Sequence, residues 1–193
     1  MARIPTVDHA GATPEQAGLL ADIERRFGNA TNMKRTLIHS PTALEALVTW
    51  YPLHAEVGTF LTEREVRLFC HAISARTECL LCTTFFRREL LDAGENPEDF
   101  DPTPAEADVI AFGARIGSGG SGVPDALFHR VAARFDHAQL VTLVAFGALM
   151  VATNVVNNAL NVDLDPELLP YRAAADTATR ASAASMDAVG PRE

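Results

Sequence analysis

The chemistry-bearing stretch of this chain is Thr77-Glu78-Cys79-Leu80-Leu81-Cys82-Thr83-Thr84-Phe85-Phe86, in which two thiols stand three residues apart. On a helix, three residues rise roughly 4.5 Å and turn about 300°, leaving the Cα atoms about 5 Å apart. That separation suits a disulfide. If Cys79 opens a helix, unpaired backbone N–H groups and the positive end of the helix dipole favour thiolate over thiol. A free thiol with a pKa of about 8.5 is only a few per cent ionised at pH 7, and lowering that value by about two makes it mostly thiolate. The spacing therefore points to a redox dithiol. A pair of inert thiols in a helical core is the alternative on residue types alone. A structural zinc site would need two further ligands, and the sequence has no second C-x-x-C and no H-x3-H.

The elements that must position these thiols read as helices. The chain has 193 residues, 48% of them apolar, enough for a sizeable core. Sixteen Lys and Arg against 25 Asp and Glu give a net charge of −9, which disfavours nucleic acid and anionic membrane as partners. With three cysteines and no signal-peptide pattern, a reducing cytoplasm is the expected compartment. The apolar run Leu140 to Val156 is interrupted by Thr142, Thr153 and Asn154 and reads as a buried core helix rather than a membrane span.

Helix starts are marked at Thr13-Pro14, Ser40-Pro41, Thr62, Thr103-Pro104 and Asp136, and stops at Gly28-Asn29 and Gly94. Pro52 is expected to kink the helix that follows Ser40 without ending it. Thr31 to His39 and Pro124 to Phe135 read as short helices, a helix follows Cys79, and Gly117 to Gly122 reads as a connector without the Gly-Lys-Ser/Thr of a phosphate loop. No stretch sustains strand alternation, so the fold class is all-α. Residues 1–170 form one domain on this reading, and 171–193, rich in Ala, Ser and Thr, a tail.

With these elements in order, the sequence resembles the carboxymuconolactone decarboxylase and alkylhydroperoxidase D-like family, most closely its peroxidase-related branch. The likeness starts near Asn32-Met33-Lys34-Arg35-Thr36-Leu37-Ile38-His39-Ser40-Pro41, runs from Leu61 to Gly94 and from Val123 to Asp165, and includes Asn157-Asn158-Ala159-Leu160-Asn161-Val162. It implies an alkylhydroperoxidase D-like helical bundle in which Cys82 attacks a peroxide and Cys79 resolves it as a disulfide. It implies no cofactor and no metal. In the family a histidine four residues after the second cysteine and a glutamate twelve before the first complete a proton relay. Those positions hold Phe86 and Arg67, neither of which is a general base near neutral pH.

Arg67 could favour a thiolate through its fixed charge, and His71, one turn further on, could accept a proton if it points at the dithiol. Glu65 reads as a solvated first-turn carboxylate, Glu78 as a cap or an unfavourable neighbour of the thiolate, Cys70 as a core residue, and Phe85 and Phe86 as core or subunit contacts. The leading expectation is a thiol-dependent hydroperoxidase or disulfide reductase, with a small hydroperoxide as substrate and an external dithiol protein as reductant. The competing readings are a γ-lactone acid decarboxylase, which needs an acid/base pair and a cationic anchor, and a non-catalytic helical protein that has lost the relay. A homo-oligomer is expected from the apolar segments Trp50 to Phe60 and Leu140 to Val156.

Overall fold

Helices begin where the sequence offers a side chain to replace the missing backbone partner. In the computed structural model, which describes residues 2–120 and 122–173, Thr13, Thr62, Thr103 and Asp136 each close a reciprocal capping box with the Gln or Glu three residues on. These start α1 (Pro14–Phe27), α5 (Glu63–Arg76), α7 (Pro104–Gly117) and α9 (His137–Leu160). Thr31 and Ser40 cap α2 (Asn32–Leu37) and α3 (Pro41–Val48) more simply. The remaining helices are α4 (Trp50–Val57), α6 (Leu80–Asp92) and α8 (Asp125–Ala132), with a closing 3-10 turn at Pro166–Tyr171. No strand occurs among the described residues, and the chain is all-α as expected.

Two expectations need correction. The helix after Ser40 does not run through Pro52 with a kink; it stops at Val48 and a new one starts at Trp50. Pro52 then falls in the first turn of α4, where its missing N–H has no intrahelical partner to lose. Glu65 is not solvated. It is 6% exposed, its carboxylate takes the Thr62 N–H and Oγ1–H, and its other oxygen pairs with Arg134. Capping, not solvation, decides its place.

Helix α5 is the central element and packs on α6, α7 and α9. Phe69 on α5 is fully buried and stacks on Phe146 of α9, with ring centres 6.1 Å apart. Glycines let the neighbouring helices close on it. A Cβ at Gly113 of α7 would lie 2.9 Å from the Phe69 carbonyl oxygen, and one at Gly147 of α9 would lie 3.0 Å from Phe69 Cζ. A second buried cluster, around Leu20, Ile23, Ile38 and Leu44, joins α1, α2 and α3, and Met33 packs against both.

Helix α9 is long and apolar enough to cross a membrane by length and composition alone. Its inner face is a core face, with Leu143, Phe146, Met150 and Asn154 buried against the bundle. Its outer face leaves Val141 70%, Val144 41% and Val155 56% exposed, so the expected burial holds for one side only. Of the tail expected at 171–193, residues 174–193 lie outside the described residues.

Candidate redox site

The dithiol sits on the sharp corner between α5 and α6. The Cys79 N–H reaches back to the Ser74 carbonyl (3.1 Å) and the Glu78 N–H to the Ala75 carbonyl (3.2 Å), the bonding of a Schellman turn. Such a turn needs a left-handed residue, and Glu78 supplies it with φ 53° where glycine is usual. Holding a side chain there costs about 1 kcal/mol. The turn delivers Cys79 to the N-cap of α6 and Cys82 to its first turn.

The last third of α9 pins this corner with three amides. Asn154 Nδ2 donates to Thr77 Oγ1 (2.6 Å) and Asn158 Nδ2 to the Thr77 carbonyl (2.8 Å). Asn157, 3% exposed, donates through Nδ2 to Cys82 Sγ at 3.3 Å. Asn157 Oδ1 and Asn154 Oδ1 are buried without a hydrogen-bond partner, so the amides are committed to the corner through their donor side.

The two sulfurs differ in charge preference. The Cys79 thiol is held below its ordinary value, first because the Cys82 thiol donates to its sulfur, against an opposing burial effect, and then through the Cys82 N–H, the Asn157 amide and the Leu81 N–H. Cys79 makes no geometrically complete cap bond, so the N–H groups act on it as weaker electrostatic partners. Cys82 is pushed well above an ordinary thiol because it is the donor in that pair and is buried. The negative charge belongs on Cys79 and the proton on Cys82. The resemblance assigns attack to Cys82; the hydrogen bonding favours Cys79 as the ionised sulfur. Cys70 is fully buried in the core, and burial keeps its thiol protonated.

Neither sulfur meets bulk water directly, Cys79 being 0% and Cys82 5% exposed, and each lies on the wall of a different cavity. Cys79 borders a space of about 620 Å³ shared with Glu78, Thr83, Asn157, Asn158 and Asn161. Cys82 borders a space of about 100 Å³ walled by Trp50, Tyr51, Phe85, Phe86 and two methionines. Leu81 lines both.

The other sequence-derived candidates engage other groups. Arg67 donates to Glu63 (2.8 Å), one turn earlier on α5. His71 is kept neutral by burial and by the nearby Arg87 charge. Neither lines either cavity. Phe86, in the position of the family histidine, is packed in the aromatic wall, its ring centre 6.5 Å from that of Trp50. Among the described residues no group of three or more His, Cys, Asp or Glu is placed to hold a metal ion. Sequence reasoning missed the amides as functional groups. Their signal was present in the three asparagines at 154, 157 and 158, one face of an otherwise apolar helix.

No family model matches the sequence, and no curated protein matches it. Solved structures do. The alkylhydroperoxidase AhpD core of an uncharacterized peroxidase-related protein from Ralstonia eutropha JMP134 is 19% identical, with a TM-score of 0.65 over 86% of this chain and 94% of that one. The debrominase Bmp8 is 16% identical, with a TM-score of 0.64 over 86% of this chain and 94% of that one. A cysteine-to-alanine variant of Bmp8 in complex with 2,3,4-tribromopyrrole has a TM-score of 0.63 at 16% identity, over 87% and 94% of the two chains. The chain has the alkylhydroperoxidase D-like fold.

Proposed function

We propose that this protein is a dithiol oxidoreductase that reduces a small hydroperoxide through Cys79 and Cys82. The observation that carries the reading is the placement of Cys79 at the N-cap and Cys82 in the first turn of α6, each on a cavity wall and with the Asn157 amide on Cys82 at 3.3 Å, an arrangement that favours the charge on Cys79. The Cys79 thiolate attacks the terminal peroxide oxygen, the O–O bond breaks, and the departing alkoxide takes a proton to become the alcohol. Cys82 then attacks the Cys79 sulfenic sulfur, its proton leaves with the hydroxyl as water, and the S–S bond closes. Two electrons from an external dithiol protein restore both thiols. The peroxidase-related name of one fold neighbour supports this choice of oxidant.

The decarboxylase reading lacks its parts at this corner, since no Lys, Arg or His lines either cavity. The scaffold reading is tested directly. With the protein at excess hydroperoxide in stopped flow, two thiols per chain should be lost together, and Cys82→Ser should leave Cys79 as a sulfenic acid without a disulfide. Unchanged thiols would leave the fold without the activity.

The exposed valines of α9 support self-association, and we propose a homo-oligomer packed through that face. Val144→Lys should shift the mass measured by light scattering towards the single chain, and a single-chain mass for the unmodified protein would remove the proposal.

A further inference from the structure

The cavity at Cys82 plays no part in the polar chemistry just described, and its walls describe a ligand. Trp50 and Tyr51 meet edge to face (5.3 Å, 88°), as do Phe85 and Phe86 (5.1 Å, 84°). These four rings, with Met33, Met150 and the Cys82 thiol, line a half-open space of about 100 Å³. Aromatic faces and edges with polarizable sulfurs around them attract another ring more than they attract water. An apolar cavity of about 150 Å³ is known to stay dry and accept benzene, so this space is on the scale of one ring.

Charge narrows the class further. No cationic or histidine side chain lines the cavity, and its one carboxylate, Asp165, is 5% exposed and accepts the Asn32 N–H at 2.6 Å. Burial also pushes the Tyr51 phenol up to about 12, so it stays neutral. An anion would meet a buried carboxylate, and the nearest cation, Lys34, lies outside the lining, over the Tyr51 ring (5.1 Å) and donating to the Asn29 carbonyl (3.3 Å), where it already offsets Asp165. A cation would meet one carboxylate already occupied by the backbone.

We propose that the Trp50, Tyr51, Phe85 and Phe86 cavity is a binding site for a small neutral molecule with a single aromatic ring, seated against Cys82. The proposal does not need the peroxidase reading, because occupancy is read with both thiols reduced and no oxidant present.

Trp50 is the only tryptophan of the chain and stands in the wall, so its fluorescence reports occupancy. Toluene titrated into the reduced protein should give a saturable change in Trp50 emission, while benzoate over the same range gives none. Leu47→Phe, which enlarges a lining side chain, should weaken toluene binding tenfold or more. In the unmodified protein, toluene should also slow iodoacetamide labelling of Cys82 several-fold, with Cys79 labelling unchanged by peptide mapping. This arm stands even if Leu47→Phe fails to fold. A linear, unsaturated emission change, benzoate binding as well as toluene, or equal protection of both cysteines would each overturn the assignment.

Discussion

The two cavities that flank the dithiol differ in nearly every property, although Leu81 is common to both. The space at Cys79 is large and edged by Glu78 and three asparagines; the space at Cys82 is small and edged by rings. The sulfur on the polar side is the one whose ionised form is favoured, and the sulfur on the apolar side keeps its proton. One turn of helix thus separates the sulfur that gives up its proton more readily from the one that keeps it. No histidine lines either cavity, and the unequal preference of the two sulfurs follows from their hydrogen bonds and burial.

The largest test of that contrast is to remove each sulfur in turn. Cys79→Ser should lower the iodoacetamide labelling rate at pH 7 at least tenfold, whereas Cys82→Ser should leave fast labelling in place. The opposite result would reverse the roles of the two cavities. In the unmodified protein the labelling rate should rise with pH through a midpoint below that of an ordinary thiol, since a lowered pKa means reactivity is lost only as pH falls through it.

Next in size is Asn157→Ala, which removes a donor from the sulfur pair. The amide is one of the smaller influences holding the Cys79 thiol down, after the Cys82 thiol and the Cys82 N–H, so its loss should raise the Cys79 midpoint. An unmoved midpoint would make the amide purely structural. Gly113→Ala serves as the control away from the site. Its Cβ would press on the Phe69 carbonyl, and urea unfolding should show a loss of about 1–3 kcal/mol with the labelling midpoint unchanged.

Two smaller effects sharpen the picture. Glu78→Gly relieves the left-handed conformation and should raise stability by about 1 kcal/mol in the same urea measurement. The thiols of Cys70 and Cys82 have raised values when folded. Both states hold those protons below the ordinary thiol value, and above it the unfolded chain ionises first, so stability falls as pH rises past about 9. Cys70→Ala should flatten that alkaline decline in thermal melts.

Much of this was legible in the sequence because its determinants are local. Thr62 with Glu65, and Asp136 with Gln139, encode their own helix starts, and Cys79 with Cys82 encode a corner dithiol. What escaped depends on contacts between distant segments. Asn157 meets Cys82 across 75 residues, Glu65 meets Arg134 across 69, and no local pattern announces either. Pro52 was misjudged for a subtler reason. A proline is compatible with a kink or with a first turn, and here the interruption falls at Thr49, three residues before it. The apolar run of α9 gave its length and its inner face but not the exposure of Val141, Val144 and Val155, which depends on where the other helices stop.

The amides on α9 also set an order in time. A chain leaving the ribosome carries both sulfurs long before residues 154–158 exist to grip the corner, so during synthesis the pair is unsupported by Asn154, Asn157 and Asn158. Only when the last long helix packs against the corner do the sulfurs acquire their amide partners, which ties their final surroundings to completion of the whole bundle.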